Sequence, residues 1–80
     1  MSVRLVFLGP LRDLAGVGEQ QVPAPLDWAG LLAAVGPAMA QRLTDERVLI
    51  ACDGTVLADR GLLAAGEGAE VALLPPVSGG

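Results

Sequence analysis

The amino-acid sequence predicts an α+β fold of two layers, in which a mixed sheet carries one main helix across one face. Three observations support this prediction. The chain has 80 residues, of which 52% are hydrophobic, and this is enough for one domain with a core. Alternating apolar segments bounded by Gly and Pro open and close the chain, as β-strands do. Between these segments, residues 28–39 carry apolar side chains at helical spacing.

The first quarter of the chain predicts a β-hairpin with an elaborated turn. Residues 2–8 alternate between the two faces of a strand, and residues 19–22 form a shorter returning strand. Glycines and prolines lie between and after these strands, where the chain must end a strand or reverse its direction. Residues 11–15 are suited to a single helical turn within the connection.

The main helix is predicted to begin after Asp27, whose carboxylate is suited to capping the first turn. One apolar stripe follows, formed by Trp28, Leu31, Leu32, Val35 and Met39. We expect Trp28 to pack into the core. Gly36-Pro37 breaks this helix, and Pro37 suits the first turn of a second, short helix.

The second half of the chain predicts three more strands, at residues 47–52, 55–57 and 69–74. Asp53-Gly54 is a hairpin signal between the first two of them. In the Gly- and Ala-rich segment that follows, we expect Leu62 and Leu63 to turn inward. The first and last strands of the chain are both strongly apolar, so we expect them to lie side by side and parallel at the centre of the sheet.

A helix across only one face leaves the other face of the sheet without a covering layer. We expect this second face to carry Val6, Leu8, Ala72 and Leu74. An exposed apolar patch of this kind indicates a docking surface. The alternative is that loops cover it.

The composition argues against several classes of function. The net charge is −4 and all five basic residues are Arg, so we expect no nucleic-acid partner. Without Lys, the sequence has no side-chain amine on which the chain could be conjugated to itself. One Cys and no His argue against a disulfide framework and against a zinc or iron–sulfur site. We expect a cytoplasmic protein without a signal peptide or a membrane segment.

Catalytic groups are scarce in this sequence. It has no Ser-His-Asp set, no phosphate loop and no paired carboxylates at an obvious spacing. We expect Cys52 to act as a small apolar residue, because no His is present to activate it. Arg12, in the turn after the first strand, is either a solvated charge or a partner contact. We therefore expect a carrier or substrate of other enzymes, with no activity alone and no bound cofactor or metal.

The sequence predicts a boundary between a folded domain and a C-terminal tail. We expect a domain of residues 1–76 and an extended tail of residues 77–80. Pro75-Pro76 ends the last strand because proline donates no ladder hydrogen bond, and it holds the chain extended. The segment from Pro75 onward is able to reach roughly 20 Å beyond that strand.

The tail itself is the strongest candidate site. We expect Gly80 to end the chain and to carry the reactive α-carboxylate. Val77 and Ser78 lead to Gly79-Gly80, where the absence of side chains lets a narrow pocket approach the carboxylate from any side. The alternative is a frayed terminus without a function.

Both ends of the chain carry motifs of a known family. The opening, VRLVFLGPLRDLAG at residues 3–16, resembles the first strand and following turn of the small subunit of molybdopterin synthase. The close, EVALLPPVSGG at residues 70–80, is similar to that family's C-terminal signature almost residue for residue. The middle matches in length and pattern. Two departures, Asp53-Gly54 in place of Asn-Gly and a slightly long segment at residues 62–69, do not touch the tail.

The resemblance implies a ubiquitin-like β-grasp fold and a role for Gly80 in sulfur transfer. It implies that a ubiquitin-activating-type adenylyltransferase uses ATP to adenylate Gly80, and that a sulfur donor enzyme then converts it to a thiocarboxylate. The large subunit of the synthase receives the tail, and two sulfur transfers to cyclic pyranopterin monophosphate build the dithiolene in molybdenum cofactor biosynthesis. The family forms a heterotetramer of small and large subunits, and the large subunit supplies the acid–base residues.

Three alternatives stay open at this point. The chain is a sulfur carrier for thiamine, cysteine or tRNA thiolation, a ubiquitin-like modifier joined to the Lys of a partner, or an interaction module with an idle tail. In each sulfur-transfer reading, the candidate partner contacts are Arg12, Val6, Leu8 and Leu74.

Overall fold

The computed structural model describes residues 1–76, in which the elements follow the predicted order. The strands in this part are β1 (Ser2–Phe7), β2 (Glu19–Pro23), β3 (Leu26–Asp27), β4 (Leu49–Cys52), β5 (Thr55–Val56), β6 (Ala64–Ala65) and β7 (Glu70–Leu74). The helices in it are α1 (Pro10–Ala15), α2 (Trp28–Val35) and α3 (Pro37–Leu43), with a 3₁₀ turn at Arg60–Leu62.

The main sheet has five strands in the order β2-β1-β7-β4-β5. The first and last strands, β1 and β7, lie side by side and run parallel, with Phe7 opposite Leu73. This confirms the prediction made from their apolar sequences. The other pairs in the sheet are antiparallel, so the sheet is mixed.

The core lies between this sheet and the helices. Alternate residues of the central strands point into it, and Leu5, Val71 and Leu73 are fully buried. Leu31 of α2 and Leu43 of α3 meet them from the helical layer, and both are also fully buried. Burial of each such side chain stabilises the fold by about 1.5–3 kcal/mol.

The helical layer consists of two helices of similar length, with 8 residues in α2 and 7 in α3. Asp27 caps α2 as predicted, because its Oδ1 accepts a hydrogen bond of 2.7 Å from the Gly30 N–H. The predicted break at Gly36-Pro37 divides the apolar stripe, since Gly36 has a φ of 86° and Pro37 begins α3. Met39 therefore belongs to the second helix.

A second, two-stranded sheet was not predicted. Here β3 pairs with β6, and Leu26 lies opposite Ala65. Each strand has two residues, which is too short for an alternating pattern to show in the sequence.

The prediction for the segment between β5 and β6 is half right. Leu63 is buried, with 2% of its surface exposed, as expected. The inward placement of Leu62 is wrong, because Leu62 ends the 3₁₀ turn with 65% of its surface exposed. Successive residues of such a turn point in different directions, so both leucines cannot enter the core.

Trp28 lies at the edge of the core, where it is half-buried, rather than inside it. The guanidinium carbon of Arg60 lies 4.9 Å from the centre of the Trp28 ring, as in a cation–π pair. Arg60 also donates hydrogen bonds to the carbonyls of Leu43 and, at 2.9 Å, Asp45. This one side chain therefore fastens the 3₁₀ turn to the C-terminal end of α3, where a cation is favourable.

Candidate functional site

The last strand of the described residues lies in the middle of the main sheet. Strand β7 lies between β1 and β4 and is paired with both, up to Leu74 opposite Leu49. Ladder pairing stops at Pro75-Pro76, as predicted. Both prolines are half-buried against the domain, so the point of departure is held by packing. We call Pro75-Pro76 the chain exit.

Gly9 makes room for the chain exit. It follows β1 with a φ of 55°, a conformation that L-residues with side chains rarely adopt. A Cβ atom at this position would lie 3.2 Å from Cγ of Pro75, which is closer than ordinary van der Waals contact. The turn after β1 therefore needs glycine both for its backbone and for its approach to the exit.

The remaining tail residues, Val77, Ser78, Gly79 and Gly80, lie outside the part of the chain that the structure describes. The roles assigned to them in the sequence stay predictions. So does the division between residues 1–76 and 77–80 as domain and tail.

Within residues 1–76, the face of the sheet opposite the helices is apolar and partly exposed. Val6, Leu8 and Leu74 lie on it, with Leu8 39% exposed and the other two half-buried. Ala72 lies opposite Val6 on the same face. The expectation of a second apolar face is confirmed, and the alternative of covering loops is wrong for Leu8.

Two residues that the sequence reading missed extend this face. Leu49 lies opposite Leu74 and is 47% exposed, and Val56 lies opposite Ala51 and is 51% exposed. All four residues of β4 are apolar or small, so their sequence does not reveal which of them face outward. We call the surface formed by Val6, Leu8, Leu49, Val56, Ala72 and Leu74 the open face.

A charged cluster borders the open face at the end away from the chain exit. Arg4 forms an ion pair with Glu70, its neighbour across the β1–β7 ladder, and lies 3.8 Å from Glu19 of β2. These side chains are about half-exposed, so their contribution to stability is small. They form a polar border, so the apolar part of this sheet face is the half next to the chain exit.

A groove of about 260 Å³ lies on the other side of the chain exit. We call it the exit groove, and its lining consists of Pro10, Leu11, Leu14, Arg42, Asp45, Arg47, Val48, Pro75 and Pro76. The predicted strand at residues 47–52 begins only at Leu49, because the Val48 N–H is used in a turn, where it donates to the carbonyl of Asp45 at 3.0 Å. There the Arg47 N–H donates to Oδ1 of Asp45 at 2.9 Å and fixes a turn.

Asp45 and Arg47 form a close pair in the wall of the exit groove. Nη2 of Arg47 lies 2.9 Å from Oδ2 of Asp45, and Nε donates to Oδ1 at 3.2 Å. The side-chain and backbone hydrogen bonds from Arg47 lower the pKa of Asp45 from 3.8 to about 2. Asp45 therefore stays ionised to a lower pH than an unpaired Asp does.

Arg12 lies outside both the exit groove and the open face. It is exposed on α1, and its side chain extends over Gly18 in the connection to β2, where a Cβ atom would lie 3.4 Å from Nε of Arg12. Its role as a partner contact stays a prediction.

Cys52 has the surroundings of an unreactive thiol. It ends β4 half-buried, and burial together with the charge of Asp53 raises its pKa. Both effects disfavour the thiolate, which is the nucleophilic form. Within residues 1–76, no group of three or more potential metal ligands comes together. The distinctive features of the described domain are two surfaces that meet at the chain exit.

Comparison with known proteins assigns this arrangement to a family. Residues 5–80 match the model of the ThiS family. The chain belongs to the ThiS family. No curated protein is significantly similar to this member of the family.

Solved structures with the same fold come from several organisms. SAMP1 from Haloferax volcanii is 25% identical, with all of both chains covered and a TM-score of 0.77. Small archaeal modifier protein 1 from Methanosarcina acetivorans is 24% identical, with 99% of this chain and 96% of that chain covered and a TM-score of 0.79. Subunit 1 of molybdopterin-converting factor from Helicobacter pylori, solved in a complex with subunit 2, is 24% identical, with full coverage of both chains and a TM-score of 0.68.

The structural likenesses confirm the ubiquitin-like β-grasp fold, and the family match confirms the resemblance to sulfur carriers of the ThiS type. At identities this low, the structural neighbours establish the fold and leave the substrate open. In residues 1–76, no helix is both long and apolar enough to cross a membrane.

Proposed function

We propose that this ThiS-family chain is the sulfur-carrier subunit of a molybdopterin synthase, with Gly80 as the reaction centre. The observation that carries the proposal is the meeting of a partly exposed apolar sheet face with a fixed chain exit, after which Val77 and Ser78 lead to Gly79-Gly80 in the sequence. A partner that binds the open face is positioned to receive the end of the chain. The molybdopterin-converting factor of Helicobacter pylori, whose subunit 1 has this fold, supports the choice of pathway.

The chemistry begins with activation of the Gly80 carboxylate, which by itself resists nucleophilic attack. In the adenylyltransferase, a carboxylate oxygen attacks the α-phosphorus of ATP, and pyrophosphate leaves. A sulfur donor enzyme then supplies sulfur at the sulfide level, as HS⁻, which attacks the acyl carbon, and AMP leaves with the electrons of the broken acyl–oxygen bond. The product, a Gly80 thiocarboxylate, holds sulfur in a nucleophilic form that does not diffuse away.

In these reactions the domain provides the surfaces that the partner enzymes bind. The open face supplies the docking contact, and Pro75-Pro76 sets where the tail departs. No step calls for an acid, base or nucleophile from residues 1–76, in agreement with the surroundings of Cys52. The large subunit contributes the acid–base groups for transfer of sulfur to cyclic pyranopterin monophosphate.

Reconstitution tests the proposal. Chemically prepared Gly80 thiocarboxylate, mixed with the large subunit and cyclic pyranopterin monophosphate, is expected to yield molybdopterin without ATP or sulfur donor. Deletion of Gly79-Gly80 is expected to leave the fold intact, because the deletion removes no residue of the described core, and to abolish the product. Failure of the thiocarboxylate form to yield molybdopterin, or full activity of the truncated form, contradicts the proposal.

A second candidate function is protein modification, which the likeness to SAMP1 from Haloferax volcanii favours. In that case Gly80 forms an isopeptide bond with the Lys of another protein. Because the sequence contains no Lys, its own side chains offer no amine for building chains of modifier. Adducts on many cellular proteins that require Gly80, together with no thiocarboxylate in the mass of the free protein, would favour modification over sulfur transfer.

A further inference from the structure

The exit groove is a concave surface that the proposed reaction leaves unused. Pro75 and Pro76 form one wall, so the groove extends to the last described residues of the chain. Leu14 of α1 contributes to the apolar lining and is 43% exposed. The lining thus combines proline rings with an aliphatic side chain that is only partly buried in the domain. Such a surface is suited to an apolar side chain from outside.

The charge of the groove is positive although the chain as a whole is acidic. Arg42 and Arg47 both line it, and the carboxylate of Asp45 is already paired with Arg47 at 2.9 Å. Among residues 1–76, no carboxylate lies within ion-pair distance of Arg42. Two cations and one anion leave the groove with one excess positive charge, on a chain whose net charge is −4.

These features specify the chemistry of an occupant. Arg42 is positioned at the end of α3, and a guanidinium forms strong hydrogen bonds with a carboxylate. A ligand with an aliphatic or aromatic side chain next to Asp or Glu satisfies the lining and the charge together. A second copy of this chain is disfavoured, because two molecules of charge −4 repel each other.

We propose that the exit groove binds an extended segment of the large subunit, in which an apolar side chain lies next to an Asp or Glu that pairs with Arg42. This inference rests on the proposed function, because it concerns the partner that receives the tail. Pro75 and Pro76 line the groove and directly precede the tail in the sequence, so a partner that holds the tail lies close to the groove. The groove and the open face then contact the partner on the two sides of the chain exit.

The charge part of the inference is tested by replacing Arg42. Arg42→Gln and Gln41→Glu change the net charge by the same amount at adjacent exposed positions of α3, but only Arg42 lines the groove. We expect Arg42→Gln to raise the Kd for the large subunit about fivefold at low salt, as for loss of a charged hydrogen bond of about 1 kcal/mol. Gln41→Glu is expected to leave Kd nearly unchanged. The difference between the two variants should shrink at high salt, because salt screens the ion pair.

The apolar part is tested with a second matched pair. Leu14→Ala and Val17→Ala shorten exposed aliphatic side chains of similar exposure, 43% and 48%, but only Leu14 lines the groove. Leu14→Ala is expected to raise Kd about threefold to tenfold, in line with the loss of a partly buried aliphatic contact. Val17→Ala is expected to have no effect.

Titration calorimetry of the folded variants with the purified large subunit separates the outcomes. If the wild type binds and both groove variants bind equally well, the groove inference is wrong and the proposed function stands. If the wild type does not bind the large subunit, both are wrong. If the variants change self-association of the chain instead, measured by sedimentation without the large subunit, the occupant is a second copy and the inference is overturned.

Discussion

Gly9 is the residue on which the position of the chain exit depends most directly. Its φ of 55° and the distance of 3.2 Å from a Cβ atom to Cγ of Pro75 both oppose a side chain. We expect Gly9→Ala to lower the free energy of unfolding by about 1–3 kcal/mol, the range for a strained backbone position. Urea denaturation measures the change.

Gly66→Ala is the matched control for that prediction. Gly66 has no positive φ, and a Cβ atom there meets no other atom within 4 Å. Its replacement is expected to change stability by at most about 0.5 kcal/mol. Equal effects of the two substitutions would mean that the close approach of Gly9 to the exit is unimportant.

Asp45 gives stability a specific dependence on pH. Its pKa is lowered to about 2 in the folded protein from 3.8, so its ion pair with Arg47 stabilises the fold above pH 3.8. This contribution is lost as the pH falls through 3.8 toward about 2, where the folded state also takes up the proton. The free energy of unfolding of the wild type should therefore approach that of Asp45→Asn over this range. A difference between them that is the same above and below the range contradicts the assigned ion pair.

At the scale of elements, the pairing of β1 with β7 determines the site. It places the start of the tail at the centre of the sheet and aligns the outward residues of both strands on the open face. The antiparallel neighbour β4 adds Leu49 directly beside Leu74. With Val56 of β5, four strands therefore form the surface that the proposed docking uses.

Leu49→Ser tests the open face as a docking surface. Leu49 is 47% exposed, so we expect the fold to be retained and the Kd for the large subunit to rise about tenfold or more, as for an apolar side chain at the centre of an interface. Leu62→Ser, on the 3₁₀ turn and 65% exposed, is the control and should bind normally. If both variants bind as the wild type does, the partner does not use the open face.

The elements with strong local signals could be predicted from the sequence. Alternation identified β1 and β7, the Asp27 carboxylate identified the start of α2, and Gly36-Pro37 located the break before α3. The two-residue strands β3 and β6 carry no such signal. The outward position of Leu49 was hidden because every residue of β4 is apolar or small.

The exit groove could not be predicted because its walls come from separate parts of the chain. Leu14, Arg42 and Pro75 are distant in sequence and meet only after α1, α3 and β7 have packed. The hydrogen bonds from Arg60 to the end of α3 could not be predicted for the same reason. The tail motif, by contrast, is contiguous and was recognisable without the fold.

At the scale of the whole molecule, the proposed function assigns partner binding to the folded domain and the chemistry to the C-terminal carboxylate. The described domain has a buried core, with the open face on one side of the chain exit and the exit groove on the other. In the proposed account, partners recognise these surfaces and carry out chemistry on Gly80. The chemical state of Gly80 therefore decides whether the proposed function is correct.

The mass of the C-terminal peptide of the protein purified from its native cells tests this claim most directly. The account predicts a population in which one oxygen of the Gly80 carboxylate is replaced by sulfur, and this population should disappear when the adenylyltransferase is absent. A C-terminal peptide that carries only the ordinary carboxylate, in cells that are actively making molybdopterin and under conditions that preserve thiocarboxylates, would contradict it.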